Sequence, residues 1–201
     1  MLVIINSNLL WKNHHGQKRL FLKTSTSENS FGNKIISCNP HTSKLIASLF
    51  NGLELFPIKP DSNIFIRDNY SNQVLKQISE IVSEGKIYTQ NSIDKKLKSF
   101  QNIEFIDDIH GFEKIYNIID MVYLDFNENE KLIDMINASK LILKQHGFIL
   151  LIINSESNQY QKFKKNIQNI IKLFDNSFEN IQEINLSDYF KYSFMIMMTK
   201  K

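Results

Sequence analysis

Up to about residue 42, short apolar runs alternate with polar turns. Val3 to Ile5, Arg19 to Lys23 and Lys34 to Ser37 read as strands of a small antiparallel β region spanning residues 1–42. From Ser43 the apolar period lengthens to that of a helix, with Leu45, Ile46, Leu49 and Leu53 on one face and Gly52 near its end. Phe56-Pro57-Ile58-Lys59-Pro60 then breaks it. Beyond Pro60, strand and helix patterns alternate, the signature of a parallel sheet with crossover helices. Strands are predicted at Asn63 to Arg67, Lys86 to Gln90, Glu104 to Asp107, Asp120 to Phe126 and Phe148 to Asn154. Helices are predicted at Gln73 to Ser83, Ile93 to Phe100, Phe112 to Ile118, Glu130 to Leu143 (stopping at His146-Gly147) and Tyr160 to Phe174. Phe148 to Ile153 is continuous in apolar residues, as a strand buried on both faces requires. The chain closes with strand patterns at Asn180 to Asn185 and Ser193 to Thr199, whose short connection demands antiparallel pairing. Residues 43–201 are therefore expected to form one α/β domain, mostly parallel, with an antiparallel C-terminal hairpin.

Composition removes several kinds of site. The six glycines stand at 16, 32, 52, 85, 111 and 147, too far apart for a glycine-rich phosphate loop or a dinucleotide fingerprint. A single cysteine, Cys38, excludes an internal disulfide framework, and no charged-then-apolar leader opens the sequence, so a cytoplasmic location is expected. The longest aliphatic and aromatic run, Phe148 to Ile153, falls far short of the roughly 20 residues that span a bilayer, so no membrane insertion is expected. A net charge of +3 does not announce nucleic-acid binding by itself. The cations are almost all lysine, with Arg19 and Arg67 the two arginines, so phosphate recognition would rest on point charges rather than bidentate forks.

Five histidines and one cysteine show neither HExxH nor any pairing at metal-ligand spacing, so no metal site is expected. Ser155 ends a strand without the flanking glycines of a nucleophile elbow. Carboxylates at strand ends are the better candidates, because open α/β sheets bind ligands at the carboxyl edge. Asp107 and Asp108 close the third strand of this sheet, and Asp125 lies near the end of the fourth. Each can be a functional carboxylate or merely the cap of the next helix. Lys162, Lys164, Lys165 and Lys172 make one helix basic, consistent with either a solvated face or an RNA contact.

Cys38-Asn39-Pro40-His41-Thr42-Ser43-Lys44-Leu45 is similar to the WNPxRSKL of archaeal-type fibrillarin, the 2′-O-methyltransferase subunit of box C/D ribonucleoproteins. Asn51-Gly52-Leu53 followed by Phe56-Pro57-Ile58-Lys59-Pro60 is similar to its NGL…FPIKP. Asp120-Met121-Val122-Tyr123-Leu124-Asp125 resembles DVIFED, Asn137-Ala138 through Leu143-Lys144 and Gly147 resemble NA…LKxGG, and Asn185-Leu186 with Tyr189 and Lys191 resembles NLxPYxKDH. The resemblance runs from about residue 9 to the end. It implies the Rossmann-like class I methyltransferase fold with an N-terminal β region, S-adenosylmethionine as methyl donor, RNA ribose as acceptor, and a Nop-type scaffold protein with its guide RNA ribonucleoprotein as partners.

The departures fall on the chemistry. Where the family has a GxASGTT-like loop against the cofactor, this chain has Arg67-Asp68-Asn69-Tyr70-Ser71-Asn72, with no glycine. Gln90 stands for the acidic residue that accepts from the cofactor ribose, and Asp107 or Asp108 matches the adenine-side aspartate. Of the family's Lys-Asp-Lys-His catalytic set, Lys44 and Asp125 are kept, while Asn154 and Ser193 replace the other two. Loss of one positioned acid-base group costs about 10²- to 10⁴-fold in rate. Glu156 and Thr42 stand where the family carries basic residues. The reading is a fibrillarin-like subunit with methyl transfer lost or weakened and S-adenosylmethionine not bound. Two alternatives stay open: an active ribose methyltransferase with a rebuilt cofactor site, and a non-enzymatic interaction module.

Overall fold

The computed structural model describes residues 2–4, 9–14, 17–24, 34–67, 72–90, 100–106, 109–127, 132–155, 160–172, 174 and 176–201. An N-terminal antiparallel sheet runs in the order β1 (Leu2–Ile4), β2 (Leu9–His14), β3 (Gln17–Thr24), β4 (Lys34–Ser37). The main sheet comprises β5 (Ile64–Arg67), β6 (Ile87–Thr89), β7 (Ile103–Phe105), β8 (Ile119–Asn127), β9 (Leu143–Asn154), β10 (Phe178–Asn185) and β11 (Ser193–Lys200). Its order is β10-β11-β9-β8-β5-β6-β7. From β9 through β7 all neighbours pair in parallel, and β11 runs antiparallel between β9 and β10, as the short final connection demanded. The described helices are α1 (Lys44–Phe50), α2 (Asn72–Ile81), α3 (Ile109–Lys114), α4 (Leu132–Ile142) and α5 (Tyr160–Lys172). The helix expected over Ile93 to Phe100 lies outside the described residues.

The sheet divides two apolar cores, and the period of two along each strand decides which side chain enters which. Ile64 and Ile66 of β5, Met121 and Tyr123 of β8, Leu150 and Ile152 of β9, and Met195 and Met197 of β11 join one core. That core also takes Leu45, Ile46 and Leu49 of α1, Val74, Leu75 and Ile78 of α2, and Leu9, Trp11, Leu20 and Leu22 of the N-terminal sheet. The intervening residues, among them Phe65, Val122, Leu124, Ile149, Leu151, Phe194 and Ile196, face the other core with Ile136 of α4 and Ile167 and Ile171 of α5. Each buried aliphatic side chain contributes about 1.5–3 kcal/mol.

Several elements differ from the sequence reading, among them the helix expected over Phe112 to Ile118, which is Ile109–Lys114. Strand β2 was not anticipated, because Trp11-Lys12-Asn13-His14 shows little alternation; its pairing with both β1 and β3 holds it. The helix expected over Glu130 to Leu143 is described over Leu132–Ile142, with the Lys200 ammonium donating to the carbonyls of Lys140 and Leu143 at 2.7 Å each, and β9 begins at Leu143 where the strand was expected from Phe148. Gly147 serves instead inside β9, beyond a His146 with φ +61, and near a shift in the β8–β9 register. A Cβ at Gly147 would come within 3.0 Å of the Lys144 carbonyl. The strand read as Glu104 to Asp107 is Ile103–Phe105.

Candidate active site

α1 begins where Ser43, in extended conformation, caps it by accepting from the Ile46 amide. Its first residue, Lys44, thereby starts a helix whose apolar side is fixed against the first core, and its side chain reaches the carboxyl edge of the sheet. Asp125, Asn154 and Ser193 have the same strand parity as Tyr123, Ile152 and Met195, so all three face α1. The β9–β11 register sets Ser193 directly opposite Asn154.

The four side chains form one hydrogen-bonded chain. Lys44 Nζ donates to Asp125 Oδ2 at 2.8 Å, and Asn154 Nδ2 donates to Asp125 Oδ1 at 2.6 Å and to the Phe126 carbonyl at 3.0 Å. Ser193 Oγ donates to Asn154 Oδ1 at 2.9 Å. Two acceptors on one side of the amide and a hydroxyl on the other fix its orientation. The Asp125 side chain is 4% exposed and that of Lys44 15%, so this is a desolvated ion pair, held by geometry and extra hydrogen bonds rather than by Coulomb attraction alone. The Lys44 ammonium also lies 5.8 Å from the centroid of the Phe190 ring. Chemically, the arrangement brings a carboxylate together with a lysine ammonium and two neutral groups.

The sequence-predicted catalytic positions are thus brought together. Of the predicted cofactor positions, Asp107 and Asp108 lie outside the described residues, as do Asp68 to Ser71 of the glycine-free loop. Gln90 follows β6 as an exposed residue, and β5 ends on the half-buried Arg67. At these strand ends Gln90 is a neutral amide, which offers a hydroxyl no charge-assisted acceptor, and Arg67 puts a charged side chain at the end of β5. Sequence reading missed Phe190 and Tyr192. Tyr192 has φ +60, which is costly for a bulky residue, and its carbonyl accepts from the Ser155 amide at 3.2 Å, tying β9 to β11 beside the site. No sequence signal marks either.

The Cys38 thiol has no part in this chemistry. Burial first, then the charge of Glu80, pushes its pKa up to about 12, so it stays protonated and inert. Among the described residues no group of three His, Cys, Asp or Glu could hold a metal ion, and no helix is long and apolar enough to cross a membrane.

The sequence profile of the Fibrillarin family matches residues 9–201. A Pyrococcus furiosus protein named fibrillarin-like rRNA/tRNA 2′-O-methyltransferase is 27% identical over 175 residues, covering 81% of this chain and 77% of that protein. The solved structure of Methanococcus jannaschii fibrillarin, described as a pre-rRNA processing protein, superposes with a TM-score of 0.81 at 20% identity, covering 100% of this chain and 97% of the other. Aeropyrum pernix fibrillarin with natively bound S-adenosyl-L-methionine gives 0.73 at 18% identity, covering 98% and 99%. A fibrillarin in complex with Nop5p gives 0.72 at 18% identity, covering 95% and 97%. At these identities the structural likeness establishes the fold.

Proposed function

Because this chain belongs to the fibrillarin family, we propose that it is the fibrillarin-like subunit of a box C/D-type ribonucleoprotein acting in rRNA or tRNA 2′-O-methylation or processing, with its own methyl transfer lost or strongly weakened. Its partners in this reading are a Nop-type scaffold and the guide RNA that the scaffold carries. S-adenosylmethionine, where a family member binds it, supplies the methyl group; the protein's task is to place a ribose 2′-hydroxyl and take up its proton.

The observation that carries this reading is the state of Asn154 and Ser193. Asn154 spends its amide on Asp125 and Phe126 and its oxygen on Ser193. Neither residue carries a charge or exchanges a proton near neutral pH, so the network holds Asp125 still without assisting proton transfer. All four positions meet in one hydrogen-bonded chain, and two of them carry neutral side chains. The test is assembly with a Nop-type scaffold and guide RNA, followed by guide-directed transfer of radiolabelled methyl. Co-assembly without transfer is expected; transfer at a rate typical of the family overturns the silent reading, and failure to assemble overturns the subunit reading.

The buried Lys44–Asp125 pair favours a second reading, an active enzyme with a rebuilt cofactor site. In that case Asp125→Asn abolishes a measurable methyl transfer while the protein stays folded.

A further inference from the structure

We infer that the outward face of α5 is a track for the phosphate backbone of an RNA strand leaving the Asp125 edge; this rests on the ribonucleoprotein reading and adds to it the surface that carries RNA. Ile167 and Ile171 seat α5 on the sheet. Lys162, Lys165, Asn166, Asn169 and Lys172 are exposed, and their spacings of three, four, seven and ten residues place them on one face. At a rise of 1.5 Å per residue, the stripe from Lys162 to Lys172 is about 15 Å long.

A solvated helix face ordinarily mixes signs, so that pairs one turn apart attract and the first turns favour acids. α5 does neither. It holds four lysines and no acidic residue, and three of the lysines crowd its N-terminal half, where the helix dipole opposes them. The carboxylate of Glu183 is taken by Lys164 and by Gln168, the latter at 2.8 Å. Lys162, Lys165 and Lys172 have no carboxylate partner among the described residues. Like charges lined up against the dipole cost stability, and an anionic partner removes that cost.

The kind of anion follows from what lies between and beside the lysines. Asn166 and Asn169 add neutral donors suited to phosphate and ribose oxygens. At the start of the stripe, the Tyr160 ring lies 6.0 Å from the Tyr192 ring, over which the Lys191 ammonium sits at 4.9 Å. Tyr192 directly precedes Ser193 of the hydrogen-bonded chain, so the track begins at the same sheet edge as the site, on the face opposite α1. Aromatic rings next to point cations, continuing as a line of lysines and amides, suit a nucleic-acid strand better than an acidic protein surface.

The test is fluorescence anisotropy of the full chain with a labelled single-stranded RNA of mixed sequence at several salt concentrations. The triple variant Lys162→Gln, Lys165→Gln, Lys172→Gln is compared with a charge-matched control, Lys59→Gln, Lys76→Gln, Lys114→Gln. The α5 triple is expected to lower affinity about tenfold or more and to flatten the slope of log K against log salt by about 2, while the control changes affinity less than about twofold. Equal losses from both triples, no RNA binding by the parent chain, or loss of binding to the scaffold in place of RNA would each overturn the proposal. Scaffold assembly measured on the same samples separates its failure from failure of the subunit reading.

Discussion

Strand β8 carries two aspartates, each held by a lysine at nearly the same distance, and they do different things. Asp125, near the carboxyl end, meets Lys44 at 2.8 Å; Asp120, near the amino end, meets Lys144 at 2.7 Å. Asp120 is one-third exposed, and its other oxygen accepts from the backbone amide of Asn63 at 2.7 Å, which stitches the start of β5 to the start of β8. Asp125 is buried, and its recorded partners, Lys44 and Asn154, are side chains arriving from α1 and β9. One carboxylate ties backbone together where the sheet begins. The other gathers side chains into a site where the sheet ends. Distance alone does not separate these roles; burial and the nature of the partners do. A cavity of about 260 Å³ is lined by Asp120, Lys144 and Gly147.

Four substitutions break or sharpen that contrast, each read as a shift in the urea unfolding midpoint. Gly85→Ala should have the largest effect, about 4 kcal/mol, because the new Cβ would fall 2.0 Å from the Ser62 carbonyl oxygen at the amino edge. Asp125→Asn should cost about 3 kcal/mol by removing the negative charge that the desolvated Lys44 ammonium meets at 2.8 Å. Ser193→Ala should cost about 1.5 kcal/mol through the half-buried Asn154 amide oxygen that loses its donor. Asp120→Asn should cost less than about 1 kcal/mol, since water screens that pair and can replace it. The order of the last two decides most: if Asp120→Asn costs more than Ser193→Ala, the two edges do not differ as described.

Much of this was legible in the sequence. Strand alternation and two-sided apolar runs such as Phe148 to Ile153 specify a sheet with a core on each face, and the short link from Asn185 to Ser193 forces the final antiparallel pair. Segment ends were less legible. The end of α4 was read to within one residue, but β9 starts at Leu143 and not at Phe148, because its pairing with β8, a long-range contact, reaches back to Ile119 opposite Leu143. At the site, resemblance picks out Lys44 and Asp125, and strand parity could have placed Asn154 and Ser193 on their face. That Asn154 and Ser193 bond each other follows only from the β9–β11 register, which no local pattern sets. The strained backbone of Tyr192 was invisible, because a tyrosine in a left-handed conformation is held by its surroundings and not by its own preference.

We propose that this chain keeps the fibrillarin fold without binding the cofactor. Isothermal titration of S-adenosylmethionine into the purified protein, with the Nop-type scaffold present and absent, tests it most directly. The account predicts no saturable binding in the micromolar range under either condition. Stoichiometric micromolar binding would contradict it.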